Sequence, residues 1–137
     1  MGNEHPDVAD SLAGLASFAD QRGDHTGAEA LERDALAIRR KSFGDDNINV
    51  AVSLGNLGKY ARERGDYSAA EKNLQEAWRF VQPPRSPDLN KMRDILKNLR
   101  ELHVAWSKMD KARSATATAW DQQLTAFDDA HPELRER

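Results

Sequence analysis

Residues 8–15, Val8-Ala9-Asp10-Ser11-Leu12-Ala13-Gly14-Leu15, return as Val50-Ala51-Val52-Ser53-Leu54-Gly55-Asn56-Leu57. The offset is 42 residues, as from Leu12 to Leu54. It continues without a gap, from Arg22-Gly23-Asp24 to Arg64-Gly65-Asp66 and from Ala28-Glu29 to Ala70-Glu71. One more step reaches Leu96, Leu99, Ala112, Ala119 and Trp120, the last matching Trp78. A fourth step only begins, with His5-Pro6-Asp7-Val8 answered by His131-Pro132-Glu133-Leu134. Self-similarity at such a period marks stacked supersecondary units. The expected organisation is a single array over 1–137, with units at about 3–44, 45–85 and 86–127. Residues 128–137 would be the start of a fourth unit or a tail.

Each unit reads as two helices. Val8, Leu12, Leu15, Ala16 and Ala19 recur at the spacing of one apolar helical stripe. Pro6 suits the first turn, where its missing N–H costs nothing. Gly23-Asp24 breaks the helix, and a second helix is expected from about Thr26 to Phe43-Gly44, with Ala28, Leu31, Ala35 and Ile38 inward. The second unit repeats the plan with Val50, Leu54, Leu57, Gly58 and Ala61, then Ala70, Leu74, Ala77 and Val81. The Asp45-Asp46-Asn47 stretch is expected to cap the first helix of this unit, beginning near Asn47, and Pro83-Pro84 to end the second. Small residues at Ala16, Gly58, Ala28, Ala35, Ala70 and Ala77 let paired helices approach within the usual 8–10 Å or so. One hairpin cannot cover both of its faces, whereas stacked hairpins can. The expected fold is all-α: a right-handed α–α superhelix of three helical hairpins with a C-terminal helical extension.

Composition excludes several chemistries. The 137 residues carry 20 Lys+Arg against 23 Asp+Glu, a net charge of −3 that announces neither a nucleic-acid nor a membrane partner. With no cysteine there is no disulfide, thiol catalysis or thiolate metal site, which fits a reducing, cytoplasmic setting. No apolar run approaches a transmembrane span. Met1–Pro6 reads as neither a signal peptide nor a myristoylation site. His5, His25, His103 and His131 lack the spacing that places two imidazoles on one helical face, so no metal site is expected. Asp45-Asp46-Asn47 lacks the pattern of a calcium loop. No phosphate loop, nucleophile elbow or dinucleotide fingerprint occurs, and neither catalytic residues nor a cofactor are expected.

The third unit drifts. Arg100 takes the slot of Ala16 and Gly58, His103 that of Ala19 and Ala61, Ser107-Lys108 that of Gly-Asp, and Thr116 that of Leu74. Its hairpin should be looser or longer, with a second helix over about Asp110 to Ala130 anchored by Trp120, Leu124 and Phe127. Trp78 and Trp120 are expected in packing against a neighbouring hairpin or the last helix.

The units resemble tetratricopeptide repeats of the long-period, kinesin-light-chain-like subclass. The residues carrying the likeness are His5-Pro6-Asp7-Val8-Ala9, Ser11-Leu12, Leu15-Ala16, Gly23, Ala28-Glu29, Ala35-Leu36, Ile38-Arg39 and Phe43-Gly44. The resemblance implies a non-enzymatic protein-binding module whose first helices line a concave groove for a protein or peptide segment. Groove residues would be Ser17 in unit one, then Val52, Asn56, Lys59, Arg62 and Glu63, then Asp94, Lys97, Asn98 and Glu101. Asp10, Ala13, Gly14, Gly55 and Ala105 would be further groove positions. Asn56 and Asn98 occupy equivalent places where the family often reads a ligand backbone, since an amide offers both a donor and an acceptor; both also read as solvated surface amides. The basic residues of a carboxylate clamp are missing, with Ala13, Ser17, Asp94 and Asn98 in their positions. Lys59 with Glu63 and Lys97 with Glu101 stand at the spacing of helix-surface ion pairs. Against groove binding stands a structural alternative: self-association into a homo-oligomer through the ends of the array, for which an acidic first unit and a basic third give a motive. A regulatory fragment of a larger signalling protein is a third reading.

Overall fold

A computed structural model describes residues 5–82 and 88–134. Six α-helices follow in order: α1 (Pro6–Gln21), α2 (His25–Phe43), α3 (Ile48–Arg64), α4 (Tyr67–Val81), α5 (Leu89–Met109) and α6 (Ser114–Ala130). Short 3₁₀ turns lie at Lys111–Arg113 and Pro132–Leu134, and no strand forms among the described residues. The helices pair as three hairpins, α1–α2, α3–α4 and α5–α6. Each second helix also packs on the next first helix, α2 on α3 and α4 on α5, and α3 reaches α5. The fold is thus an all-α repeat of helical hairpins with a C-terminal helical extension.

Local chemistry sets the breaks. Gly23 and Gly65 adopt φ of +84° and +91°, a region costly for residues with a Cβ. Asp24 and Asp66 follow them and cap α2 and α4, accepting from the amides of Gly27 and Ala69. Asn47 caps α3 as expected, accepting from Asn49 N–H at 2.9 Å. Helix α4 ends at Val81; Pro83 and Pro84 lie outside the described residues.

The core is centred on the second hairpin. Val50, Leu54, Leu57 and Ala61 of α3 join Ala70, Leu74, Ala77 and Val81 of α4, with Ile95, Leu99 and Leu102 of α5 beyond. Gly58 is essential to this approach: a Cβ there would stand 2.4 Å from Leu74 Cγ.

Two expectations about burial need correction. Leu15 belongs to the repeated stripe but is 55% exposed, and Phe18 is 57% exposed, whereas their equivalents Leu57 and Tyr60 are buried. The cause is position: α2 covers that face of α3, while no described helix precedes α1. In α2 the buried face holds Ala28, Glu29, Glu32, Ala35, Leu36 and Arg39, while Leu31 and Ile38 are only half-buried. The third hairpin is longer, in line with its drifted sequence: α5 runs through Ser107-Lys108 to Met109 and Asp110 caps a 3₁₀ turn, so that α6 starts at Ser114 rather than at about Asp110.

Arg100 explains the delay. In the slot where Gly58 admits Leu74, a long cation cannot enter, so Arg100 is half-exposed and turns toward Asp121 at 3.8 Å. Ala117 and Leu124 become the buried residues of α6. Trp120 meets Trp78 edge-on at 6.5 Å. The fully buried His103 ring stacks with Trp106 and Trp120, at 5.9 and 6.4 Å. Burial pushes its pKa down.

Candidate functional site on the first helices

The face expected to bind is built by α1, α3 and α5. Between α3 and α5 a cleft of ≈ 70 Å³ has a floor of Ala51, Val52, Gly55 and Ile95 and a rim of Asn56, Lys91, Asp94 and Asn98. A Cβ at Gly55 would stand 3.8 Å from Ile95, in ordinary van der Waals contact. A wider depression adjoins it, lined by Asn56, Lys59, Asp94, Lys97, Asn98 and Glu101. Of the expected groove residues, Val52, Asn56, Lys59, Asp94, Lys97, Asn98 and Glu101 are therefore brought together. Ser17 stands apart on exposed α1 surface, and Arg62 and Glu63 are engaged elsewhere.

The two amides differ. Asn98 donates to the carbonyl of Asp94 in its own helix at 3.0 Å. Asn56 donates at 2.8 Å to Glu32, a carboxylate with 0% exposure. Ser53 donates to the same carboxylate at 3.1 Å. Arg39 donates to Ser53 at 2.7 Å and to Asp10 at 3.0 Å, and approaches Glu32 at 3.8 Å. Burial raises the Glu32 pKa, opposed by the Asn56 and Ser53 hydrogen bonds and by the Arg39 charge. Asn56 is thus part of a buried network rather than a simple solvated amide. The pattern is readable in α2: Ala28, Glu32, Ala35 and Arg39 share one helical stripe. A stripe of Leu31 and Ile38 hides it.

Charges also pair across helices. Lys59 lies 3.8 Å from Asp20 of α1, and Arg62 forms a close pair with Glu101 of α5. Asp20 and Arg62 are equivalent positions of successive units, as are Lys59 and Glu101, so one geometry recurs with signs exchanged. The along-helix pairs Lys59–Glu63 and Lys97–Glu101 do not account for these charges; Glu63 turns to His25 at 3.2 Å and to Arg62 at 3.6 Å.

A compact cluster follows at the end of this face. Asp20 closes α1, His25 opens α2 and Glu63 lies near the end of α3. His25 Nδ1 is 2.7 Å from Asp20 Oδ1. Burial opposes ionisation of Asp20, yet hydrogen bonds from Glu63 and His25 and the Lys59 charge hold its pKa below the usual range. Burial, with Asp20 beside it, pushes Glu63 up to about 7. None of this cluster was expected to act together, because Asp20 and His25 meet Glu63 only through the stacking of hairpins.

A family model described as tetratricopeptide repeat matches residues 7–81, the span of the first two hairpins. No match is found among curated proteins.

Proposed function

Because this chain belongs to the tetratricopeptide-repeat family, we propose that it is a non-enzymatic binding module holding a protein or peptide segment against the concave face of α1, α3 and α5. Members of this family generally mediate protein–protein contacts. The observation that carries the reading is the cleft between α3 and α5, whose apolar floor of Val52, Gly55 and Ile95 lies beneath the amides of Asn56 and Asn98. Apolar ground with a few convergent polar groups suits a segment that buries side chains and offers backbone to the amides. Lys59, Lys97, Asp94 and Glu101 rim the adjoining depression with both signs of charge. The reading also includes Ser17 of α1 and Arg62 and Glu63 of α3, which line neither the cleft nor the depression. The reading includes the repeat limits 3–44, 45–85 and 86–127 with a tail at 128–137, the kinesin-light-chain-like subclass suggested by the 42-residue period, and a cytoplasmic setting without nucleic-acid or membrane partners.

The test is selection of peptides from a random display library by the intact chain, followed by chemical-shift mapping. Selected peptides should perturb α3 and α5, and Asn98→Ala should weaken them at least about tenfold while leaving melting unchanged. Peptides mapping to α4 and α6 instead would reject the groove.

A second reading, self-association through the ends, is favoured by exposed Leu15 and Phe18 on a face whose equivalents are packed in α3. Sedimentation over a range of concentrations separates the two, since only the second requires mass to rise.

A further inference from the structure

Groove binding gives no role to Asp20 and His25, which meet Glu63 in one cluster. Its three ligand-type atoms lie within 4.8 Å of one another, and His25 Nδ1 is 2.7 Å from Asp20 Oδ1 and 3.2 Å from Glu63 Oε2. Donors placed 2.0–2.2 Å from a transition ion at tetrahedral or octahedral angles sit roughly 3 Å apart. The two separations from His25 lie near that value, and the two carboxylates are within 4.8 Å of each other. In the metal-free chain Nδ1–H donates to Asp20 Oδ1; an ion takes the place of that proton, and with the imidazole proton on Nε2 the Nδ1 lone pair is free to bind it. The Asp20 side chain is only 8% exposed, so its donor atoms are held by packing. A positive charge is drawn here even within the chain, as Lys59 Nζ stands 3.8 Å from Asp20 Oδ2. That lysine is 45% exposed and flexible, and can swing into solvent at little cost.

We propose that Asp20, His25 and Glu63 form a binding site for a divalent first-row transition ion, with Zn²⁺ as its occupant. One imidazole nitrogen with two carboxylates suits Zn²⁺, whereas Ca²⁺ and Mg²⁺ prefer sites built from oxygen alone. The donors come from α1, α2 and α3, so a bound ion ties the first hairpin to the second. The remaining coordination positions are left to water. No thiolate competes, because the chain has no cysteine. The other surface imidazoles offer poorer sets: His5 has Asp7 at 3.5 Å and His131 has Glu133 at 3.6 Å, one carboxylate each.

The experiment is calorimetric titration of the intact chain with ZnCl₂ in a non-chelating buffer, with thermal melting and Co²⁺ absorption alongside. Saturable one-to-one binding is expected, with melting raised by Zn²⁺ but not by Mg²⁺ or Ca²⁺. His25→Ala and Glu63→Gln should each weaken binding at least about tenfold. Lys59→Met, which removes the competing ammonium, should tighten it. Co²⁺ on the wild-type chain should show visible ligand-field bands, a readout independent of whether a variant folds. Absence of binding at millimolar Zn²⁺, undiminished binding in folded His25→Ala, or weaker binding in Lys59→Met overturns the proposal.

Discussion

Asn56 of α3 donates its carboxamide to Glu32 of α2 across the boundary between the first two hairpins, at 2.8 Å. The bond joins the wall of the candidate groove to a carboxylate buried beneath it. Asn56→Ala would leave Glu32 short of a donor, costing about 1–3 kcal/mol. Asn98 binds only its own helix, so Asn98→Ala should stay within about 0.5 kcal/mol of wild type. Denaturant titration of both variants checks this; equal stabilities would mean that Glu32 does not depend on Asn56.

Gly58→Ala should destabilise despite improving helix propensity. The propensity gain is about 1 kcal/mol. Against it, the new methyl meets Leu74 Cγ at 2.4 Å in a core layer where neither helix can retreat freely, and overpacking costs about 1–3 kcal/mol. Gly14→Ala makes the control, since nothing lies within 4 Å of its added Cβ, and it should stabilise. Melting temperatures moving in opposite directions are the expected result.

The pair Asp20 and Glu63 makes stability depend on pH in a defined window. Glu63 has a folded pKa of about 7 against an ordinary 4.5, so the folded state keeps a proton that the unfolded chain releases. That contribution is complete below about pH 4.5 and is lost as pH rises through about 7. Asp20, held low, acts oppositely: its contribution is present above its ordinary pKa of 3.8 and is lost as pH falls through its lowered value. In the presence of a chelator, unfolding free energy should therefore decline between pH 5 and pH 8, and Glu63→Gln should flatten the decline. A profile unchanged by that substitution would assign the slope elsewhere.

Leu15 and Leu57 are the same repeat position with different surroundings. Leu57→Ala empties part of the core and should cost about 2–5 kcal/mol. Leu15→Ala removes an exposed side chain and should cost less than about 1 kcal/mol. If the ends associate, Leu15→Ser with Phe18→Ser lowers the sedimentation mass without lowering stability; an unchanged monomer mass in wild type would dismiss that reading.

The hairpins were legible because their signals are local. The returning Val-Ala-x-Ser-Leu-x-x-Leu stretch, the Gly-Asp turns at 23–24 and 65–66 and the alanine positions encode helix, break and close contact within a few residues of each other. The third hairpin was legible as a departure but not in its remedy, because Arg100 forbids one packing without saying which other follows. The added turn of α5 and the later start of α6 are choices of tertiary packing.

The sequence by itself determined the helical repeat, its period and its turns, since each follows from backbone propensity and side-chain size along the chain. Only the tertiary structure decided that Leu15 stays exposed while Leu57 is buried, that Asn56 turns to Glu32, and that Asp20, His25 and Glu63 meet. The physical reason is the same in each case. Burial and charge pairing depend on what stands opposite a side chain, and in a stacked array that neighbour comes largely from another hairpin, distant along the chain.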